Sequence, residues 1–271
     1  MIDKPLLLVG CGKMGGAMLE GWLEMGLAAE NIHVVEPHVA TADDLRGRGI
    51  GAVASAAELP GDLAPGVVLL AVKPQSMDEA APPFAAYRSP DTVFLSIAAG
   101  KTVAYFENRL GAEAAIVRAM PNTPAAVRRG ITVATPNARV SDAQRQVCTA
   151  LLEAVGEVHW VDDEGLIDAV TALSGGGPAY VFLLAEVMTQ AGIDAGLPAD
   201  LAARLARVTV SGAGELMRLA PDEPATLRQN VTSPGGTTAE ALKVLMADDA
   251  LQPLMTRAVA AATARSKELA G

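Results

Sequence analysis

The sequence predicts an α/β domain built on a mostly parallel sheet, followed by an all-α domain. Short β-rich runs alternate with helical stretches from Leu6 to about Trp160, and the strand signal disappears beyond Asp162. The 271 residues are enough for two domains that each bury a core. We therefore expect one domain at 1–162 and a second at 163–271.

Apolar runs of four to six residues form the predicted strands of the first domain, at Leu6–Val9, Ile32–Val35, Val67–Val72, Val93–Ile97 and Ala115–Ala119. Because helical stretches separate these runs, the strands are expected to pair in parallel through helical crossovers. Only 3% of the residues are aromatic, so Ala, Val, Leu and Gly must build closely packed cores.

The second domain consists of long stretches rich in Ala, Leu and Val, such as Leu201–Leu219 and Leu251–Leu269. These stretches carry more apolar residues than a single solvent-facing layer of helices requires. The excess either fills a compact internal bundle or buries against another subunit.

Composition excludes several classes of protein. A formal net charge of −10 argues against nucleic acid as a partner, because phosphate binding needs clustered Lys and Arg. Cys11 and Cys148 lie far apart and outside any CxxC spacing, and the three histidines are scattered. We therefore expect a small-molecule ligand, no metal and a reducing, cytoplasmic location.

No targeting or membrane segment is expected. Leu6–Val9 is too short for the apolar core of a secretory signal and runs directly into glycines. The longest uncharged stretch, Ala169–Ala185, is interrupted by Gly175–Pro178, whereas a membrane helix needs about 20 continuous apolar residues.

A glycine motif follows the first predicted strand and opens a predicted helix. It matches GxGxxG with Gly10, Cys11, Gly12, Lys13, Met14 and Gly15. Glycine permits the tight turn and lets backbone N–H groups approach a pyrophosphate. A bare GxGxxG often marks only a turn, but this context predicts a dinucleotide-binding Rossmann domain.

Glu36 lies 21 residues after Gly15, at the end of the second predicted strand. A carboxylate there accepts hydrogen bonds from the adenosine ribose and repels a 2′-phosphate, which favours NADH over NADPH. The alternative is a solvated loop carboxylate that leaves NADPH usable. Cys11 is interpreted as a small filler beside the cofactor, the alternative being an oxidation-sensitive thiol.

Downstream segments narrow the choice of reductase. They are Ala71–Pro74 (AVKP), Ser96–Gly100 (SIAAG), Met120–Pro124 (MPNTP), Asp168–Tyr180 (DAVTALSGGGPAY) and Val231–Thr238 (VTSPGGTT). In this order, and over essentially the whole chain, they resemble the pyrroline-5-carboxylate reductase family. One departure is Gly176, where the family commonly has serine.

The resemblance implies NAD(P)H-dependent reduction of Δ1-pyrroline-5-carboxylate to L-proline, the closing step of proline biosynthesis. It also implies an N-terminal Rossmann domain and a C-terminal helical dimerisation domain, with a homodimer that assembles further in some members. A related imine or β-hydroxyacid reductase, or a non-catalytic dinucleotide-sensing protein, remains as an alternative. Hydroxyacid oxidation needs a general base, and the stretch from Leu166 onward has no histidine and only two lysines.

The substrate is a cyclic imine with a carboxylate, so it needs an anion cradle and a hydrogen-bond donor near nitrogen. Gly235 and Gly236 precede a predicted helix from Thr237 to Met246, whose free N–H groups and dipole can hold the carboxylate. By the resemblance, the hydroxyl of Thr238 approaches the imine nitrogen, which makes Thr238 the candidate catalytic residue. The alternative is ordinary helix capping by Thr237 or Thr238.

The remaining site residues rest on matching segments. The resemblance places Asn230, Ser233 and Glu164 near the substrate. The loops after the parallel strands line the cofactor groove, which adds Ala71, Val72, Lys73, Pro74, Ala98 and Asn122 to the cofactor-binding residues. Asn122 is assigned a positioning role.

Overall fold

The computed structural model describes residues 3–270 and contains one eight-stranded sheet. Its strands are β1 (Leu6–Val9), β2 (Ile32–Val35), β3 (Gly51–Val53), β4 (Val67–Leu70), β5 (Val93–Ser96), β6 (Ala115–Met120), β7 (Gly130–Pro136) and β8 (Gly156–Trp160). Their order is β3-β2-β1-β4-β5-β6-β7-β8, and only the β6–β7 pair is antiparallel. The first six follow the dinucleotide-binding order, so the predicted fold class is confirmed.

Helices follow or separate these strands. The helices before β8 are α1 (Lys13–Glu24), α2 (Val39–Gly47), α3 (Met77–Ala80), α4 (Val103–Leu110) and α5 (Asp142–Glu153), and α6 (Leu166–Val170) follows β8. After a π-helical turn at Thr171–Gly175 come α7 (Gly177–Asp194), α8 (Ala199–Leu219), α9 (Pro224–Asn230), α10 (Thr237–Leu245) and α11 (Leu251–Ala270).

All five predicted strands form, and the chain is helical after β8, as expected. Two of them end earlier than predicted, β4 at Leu70 and β5 at Ser96. Strands β3, β7 and β8 were not predicted from the sequence. Two of these carry weak sequence signals, because β3 has only three residues and β8 alternates exposed with half-buried side chains at the sheet edge.

Both faces of the sheet are covered. Every side chain of β1 and of β4 is buried, with neighbouring residues belonging to two separate apolar clusters. Burial on both faces explains why these strands read as continuous apolar runs. Because the strands are parallel, the carboxyl ends of β1, β4 and β5 lie at one edge of the sheet. The loops that begin at Gly10, Ala71 and Ile97 start at this edge.

Residue contacts divide the fold into two compact units. The sheet unit runs to Gly175 and includes the chain again from Ala262, while the helical unit comprises Gly176–Ala261. The boundary predicted after residue 162 stays a prediction. It marks the change from strands to helices, whereas α6 and the end of α11 make their contacts with the sheet unit.

The helical unit buries few side chains within the chain. Its only buried apolar residues are Ala202 and Ala206 of α8, and α7 has none. Among the described residues, one helical stretch, Leu166–Asp194, is long and apolar enough to cross a membrane by length and composition. A core helix of a protein that lies outside a membrane has the same length and composition.

Candidate active site

The glycine loop connects β1 to α1 through a close approach of backbone to backbone. Gly10 has a φ of +90°, and a Cβ on Gly15 would lie 2.4 Å from the carbonyl oxygen of Gly10. Gly12 is the N-cap of α1, has no side-chain cap and faces open space. The first N–H groups of α1 are therefore accessible to an anion, and the loop fits the pyrophosphate of a dinucleotide.

The segment after β4 packs against this loop. A Cβ on Gly10 would lie 2.9 Å from Cγ1 of Val72, and one on Gly15 would lie 3.3 Å from Cβ of Ala71. Lys73 is exposed, and Pro74 starts a 3₁₀ turn. The crevice between β1 and β4 is where the strand order reverses, which is the usual dinucleotide position in such sheets.

Glu36 lies beside the glycine loop, as its spacing predicts. Its Oε2 accepts a hydrogen bond from the N–H of Cys11 at 2.8 Å, and its Oε1 accepts one from the N–H of His38 at 2.9 Å. The carboxylate is thus held in place by two backbone donors. It puts negative charge at the entrance to α2.

Cys11 is not an activated thiol. Burial and, next in size, the negative charge of Glu36 raise the pKa of the Cys11 thiol to about 11. The thiol therefore stays protonated at neutral pH, whereas its interpretation as a filler beside the cofactor stays a prediction.

Two predicted residues lie beyond the ends of β5 and β6. Ala98 is buried, and its N–H donates to Oγ of Ser96 at 3.2 Å. The side chain of Asn122 donates to Oγ of Ser174 at 3.2 Å and accepts from the N–H of Ile131 at 3.0 Å. Within the sheet unit, Asn122 therefore ties the π-helical turn to the segment after β6 and to the start of β7, which suits a positioning role.

Glu164 lies in the sheet unit, in the connection between β8 and α6. Its Oε1 accepts hydrogen bonds from Nη1 of Arg118 at 2.7 Å and from the N–H of Val103 at 2.8 Å. Sequence reasoning missed Arg118, although a single charged residue within the apolar run of β6 is a signal that a buried partner exists. Sequence reasoning also did not predict the contact between Glu164 and the start of α4.

The predicted substrate-binding residues other than Glu164 lie between Asn230 and Thr238, at the start of α10 in the helical unit. Gly235 has a φ of +68°, and the N–H of Gly236 donates to the carbonyl of Ser233 at 3.0 Å, closing a tight turn. Gly236 is the N-cap of α10, and no side chain caps the helix. The side chains of Thr237 and Thr238 therefore do not cap α10, which was the alternative role considered for them.

The side chains around this turn are accessible. Thr237 and Thr238 occupy the first two positions of α10 and are exposed, as are Ser233 and Asn230, the last residue of α9. The nine-residue helix α10 thus presents uncapped N–H groups and two hydroxyls together. That combination suits a small ligand carrying both a carboxylate and a hydrogen-bond acceptor.

Comparison with known proteins matches two parts of the chain to two family models. Residues 164–269 match the family model for pyrroline-5-carboxylate reductase dimerisation, and residues 6–100 match the model described as NADP oxidoreductase, coenzyme F420-dependent. The chain is 41% identical over 271 residues to a pyrroline-5-carboxylate reductase of Pseudomonas aeruginosa, covering 100% of this chain and 98% of that one. The chain belongs to the pyrroline-5-carboxylate reductase family.

Solved structures of this family have the same fold. A pyrroline-5-carboxylate reductase of Coxiella burnetii superposes with a TM-score of 0.92 at 34% identity, covering 100% of both chains. The Plasmodium falciparum enzyme, crystallised with NADP, gives 0.83 at 28% identity, also over 100% of both chains. This family member is therefore an oxidoreductase with an NAD(P)-binding domain.

The raised pKa of Cys11 gives a testable pH dependence. With a pKa of about 11, roughly one Cys11 thiol in a thousand is ionised at pH 8. We expect alkylation of native protein by iodoacetamide to be slow and to accelerate about tenfold per pH unit between pH 7 and 9. Quantitative mass spectrometry of the Cys11 peptide measures this rate.

The Cys11→Ser variant is the matched control, because it leaves only Cys148, which is fully buried with a pKa raised to about 12. That variant should react only after unfolding. A Cys11 alkylation rate that reaches a plateau below pH 9 would contradict the raised pKa.

Proposed function

We propose that this chain reduces Δ1-pyrroline-5-carboxylate to L-proline with NADH or NADPH, as the last step of proline biosynthesis. The observation that carries the proposal is the uncapped start of α10, where a glycine turn precedes two exposed threonines. The substrate is a planar ring with a carboxylate beside an imine. Each of these groups has a chemical counterpart at this turn.

The carboxylate would be held by backbone groups. The first N–H groups of α10 have no partner within a helix and carry the positive end of its dipole, so they favour an anion. Gly235 adopts a left-handed conformation that lets the chain turn sharply into the helix. No basic side chain is required, which agrees with the acidic composition of the chain.

Thr238 would orient the imine. Reduction adds a hydride to the imine carbon and a proton to the imine nitrogen, and a hydroxyl can donate to that nitrogen or relay its proton. Thr238 is the second residue of α10, so its Oγ1 lies within one helical turn of the N–H groups that would bind the carboxylate. Asn230 and Ser233 would complete the substrate loop.

The sheet unit would hold the cofactor. Its residues for this are Gly10, Cys11, Gly12, Lys13, Met14 and Gly15, with Glu36 at the adenosine end and Ala71, Val72, Lys73, Pro74, Ala98 and Asn122 along the loops that follow β4, β5 and β6. A bound reduced nicotinamide supplies the hydride. Because the Glu36 carboxylate is fixed at the loop, we propose that NADH is preferred over NADPH.

The exposed apolar surface of the helical unit supports a homodimer. Four consecutive apolar residues of α7, Val181–Leu184, and Val187 further along the helix are 46–64% exposed in the single chain. A helix that is apolar on all sides is normally buried, so a second copy of the chain is the expected cover. We propose a cytoplasmic homodimer, from which a higher oligomer can be built.

The first test is turnover by purified protein. Loss of reduced-nicotinamide absorbance with pyrroline-5-carboxylate, together with quantified proline, would support the proposal. For Thr238→Ala we expect a loss in kcat/KM of about 10²-fold or more, because the donor to the imine is removed, while NADH binding is retained. Thr238→Ser keeps a hydroxyl and should recover most of the activity. An unchanged kcat/KM in Thr238→Ala would remove Thr238 from the mechanism.

Replacing Glu36 tests the cofactor preference. Glu36→Ser removes the negative charge at the adenosine end and should improve kcat/KM for NADPH relative to NADH by about tenfold or more. The ratio is measured with both cofactors at saturating imine. Glu58→Ser is a control for loss of an exposed carboxylate in the same unit, and it should leave the ratio unchanged. The same ratio in Glu36→Ser and wild type would refute the selectivity argument.

A charged residue on α7 tests the dimer. Phe182→Asp places a carboxylate in the proposed interface and should shift the chain to monomers at micromolar concentration, as measured by sedimentation velocity. Val39→Asp, at a position 68% exposed in the sheet unit, is the matched control and should leave the mass unchanged. A wild-type monomer, or a Phe182→Asp variant that keeps the wild-type mass, would argue against this interface.

A further inference from the structure

A buried arginine in the sheet has one bonded partner. Arg118 lies in β6, paired in register with Ser96 of β5 and Thr135 of β7. Its side chain is 4% exposed, and Nη1 donates to Glu164 at 2.7 Å, while Nη2 is buried without a partner in the described part of the chain. A guanidinium so far from water depends on its carboxylate partner.

The same carboxylate oxygen also caps the start of α4, the helix that follows the Ala98 loop. Val103 is the first residue of α4, and its N–H donates to Oε1 of Glu164 at 2.8 Å. The Thr102 side chain accepts from the N–H of Tyr105 at 3.1 Å. Glu164 and Thr102 therefore satisfy two of the orphan N–H groups at the start of α4. They fix the point where the loop at 97–102 enters the helix.

The loop is also held by the end of α11, which belongs to the same unit. Gly100 has a φ of +71°, and a Cβ there would lie 3.3 Å from Cβ of Leu269. Nearby along the chain, Oγ of Ser266 donates to Asp168 of α6 at 2.6 Å. The segment that begins at Glu164 and continues into α6 thus contacts both the loop's exit and the helix end packed on the loop.

We propose that Glu164 is a positioning residue that acts through Val103 and Arg118 and does not touch the substrate. Its charge is paired with a buried guanidinium, and its Oε1 already accepts two hydrogen bonds. The loop it fixes follows β5 and carries Ala98, at the edge of the sheet where a nicotinamide lies. This inference rests on the proposed reductase function and specifies how the cofactor loop is kept in place.

Three variants separate this role from a direct contact with the substrate. Glu164→Gln keeps a side-chain oxygen that can accept both hydrogen bonds but removes the charge. Glu164→Ala removes the acceptor, and Glu164→Ala with Arg118→Met also removes the guanidinium that would otherwise be stranded. Glu113→Ala is the matched control, because Glu113 pairs with Arg139 at 2.9 Å where both side chains are more than half exposed.

If Glu164 positions the loop, Glu164→Gln should lower the stability of the fold, because the buried guanidinium of Arg118 loses its counter-charge. The folded variant should still retain kcat within about threefold and keep the wild-type pH profile, because it preserves the hydrogen bond to Val103. Glu164→Ala and the double variant should lose about 10–100-fold in kcat, with KM for the imine changed less than threefold, since a misplaced nicotinamide impairs transfer more than substrate binding. Glu113→Ala should match wild type.

Amide exchange of Val103, followed by NMR, provides a readout that needs no turnover. It should be about tenfold faster in Glu164→Ala and the double variant than in wild type, and near wild type in Glu164→Gln. An equal loss of kcat in Glu164→Gln and Glu164→Ala would overturn the proposal, as would a raised imine KM with unchanged Val103 exchange. A wild-type chain without turnover would instead contradict the proposed function, and Val103 exchange would still decide whether Glu164 holds the loop.

Discussion

The close approach of β1, α1 and β4 at the glycine loop is the constraint on which the rest of the cofactor half depends. There is no room for a side chain at Gly15, because its Cβ would lie 2.4 Å from the Gly10 carbonyl. This contact sets where α1 begins, and thereby which N–H groups face outward. It also brings Cys11 within reach of Glu36, so that the second strand's end is tied to the first.

The glycine loop of the sheet unit and the start of α10 in the helical unit each offer backbone N–H groups, where many anion sites use Lys or Arg. Gly12 starts α1 and Gly236 starts α10, and neither helix has a side-chain cap. An uncapped helix start binds an anion without the cost of burying a charged side chain. Two such helix starts would let a chain with a net charge of −10 hold a dinucleotide and a carboxylate, as proposed.

Local signals made much of this predictable from sequence. The strand, glycine turn and helix around Gly10 form one continuous pattern, and the spacing to Glu36 follows from one βαβ unit. The Arg118–Glu164 pair could not be predicted in this way, because 46 residues separate its members and neither belongs to a motif. Likewise, β8 has its exposed and half-buried residues set by its edge position, which no short window of sequence reveals.

The burial pattern of the helical unit connects its folding to association. Within the single chain its only buried apolar residues are two alanines of α8, Ala202 and Ala206, whereas the sheet unit has two large apolar clusters. Two buried alanines cannot offset the conformational entropy of ordering 86 residues, from Gly176 to Ala261, at about 1–2 kcal/mol each. We propose that further apolar burial comes from a second copy of the chain, at the exposed face of α7. In that case the stability of α10, and with it the proposed substrate cradle, depends on protein concentration, because only the associated state completes the core.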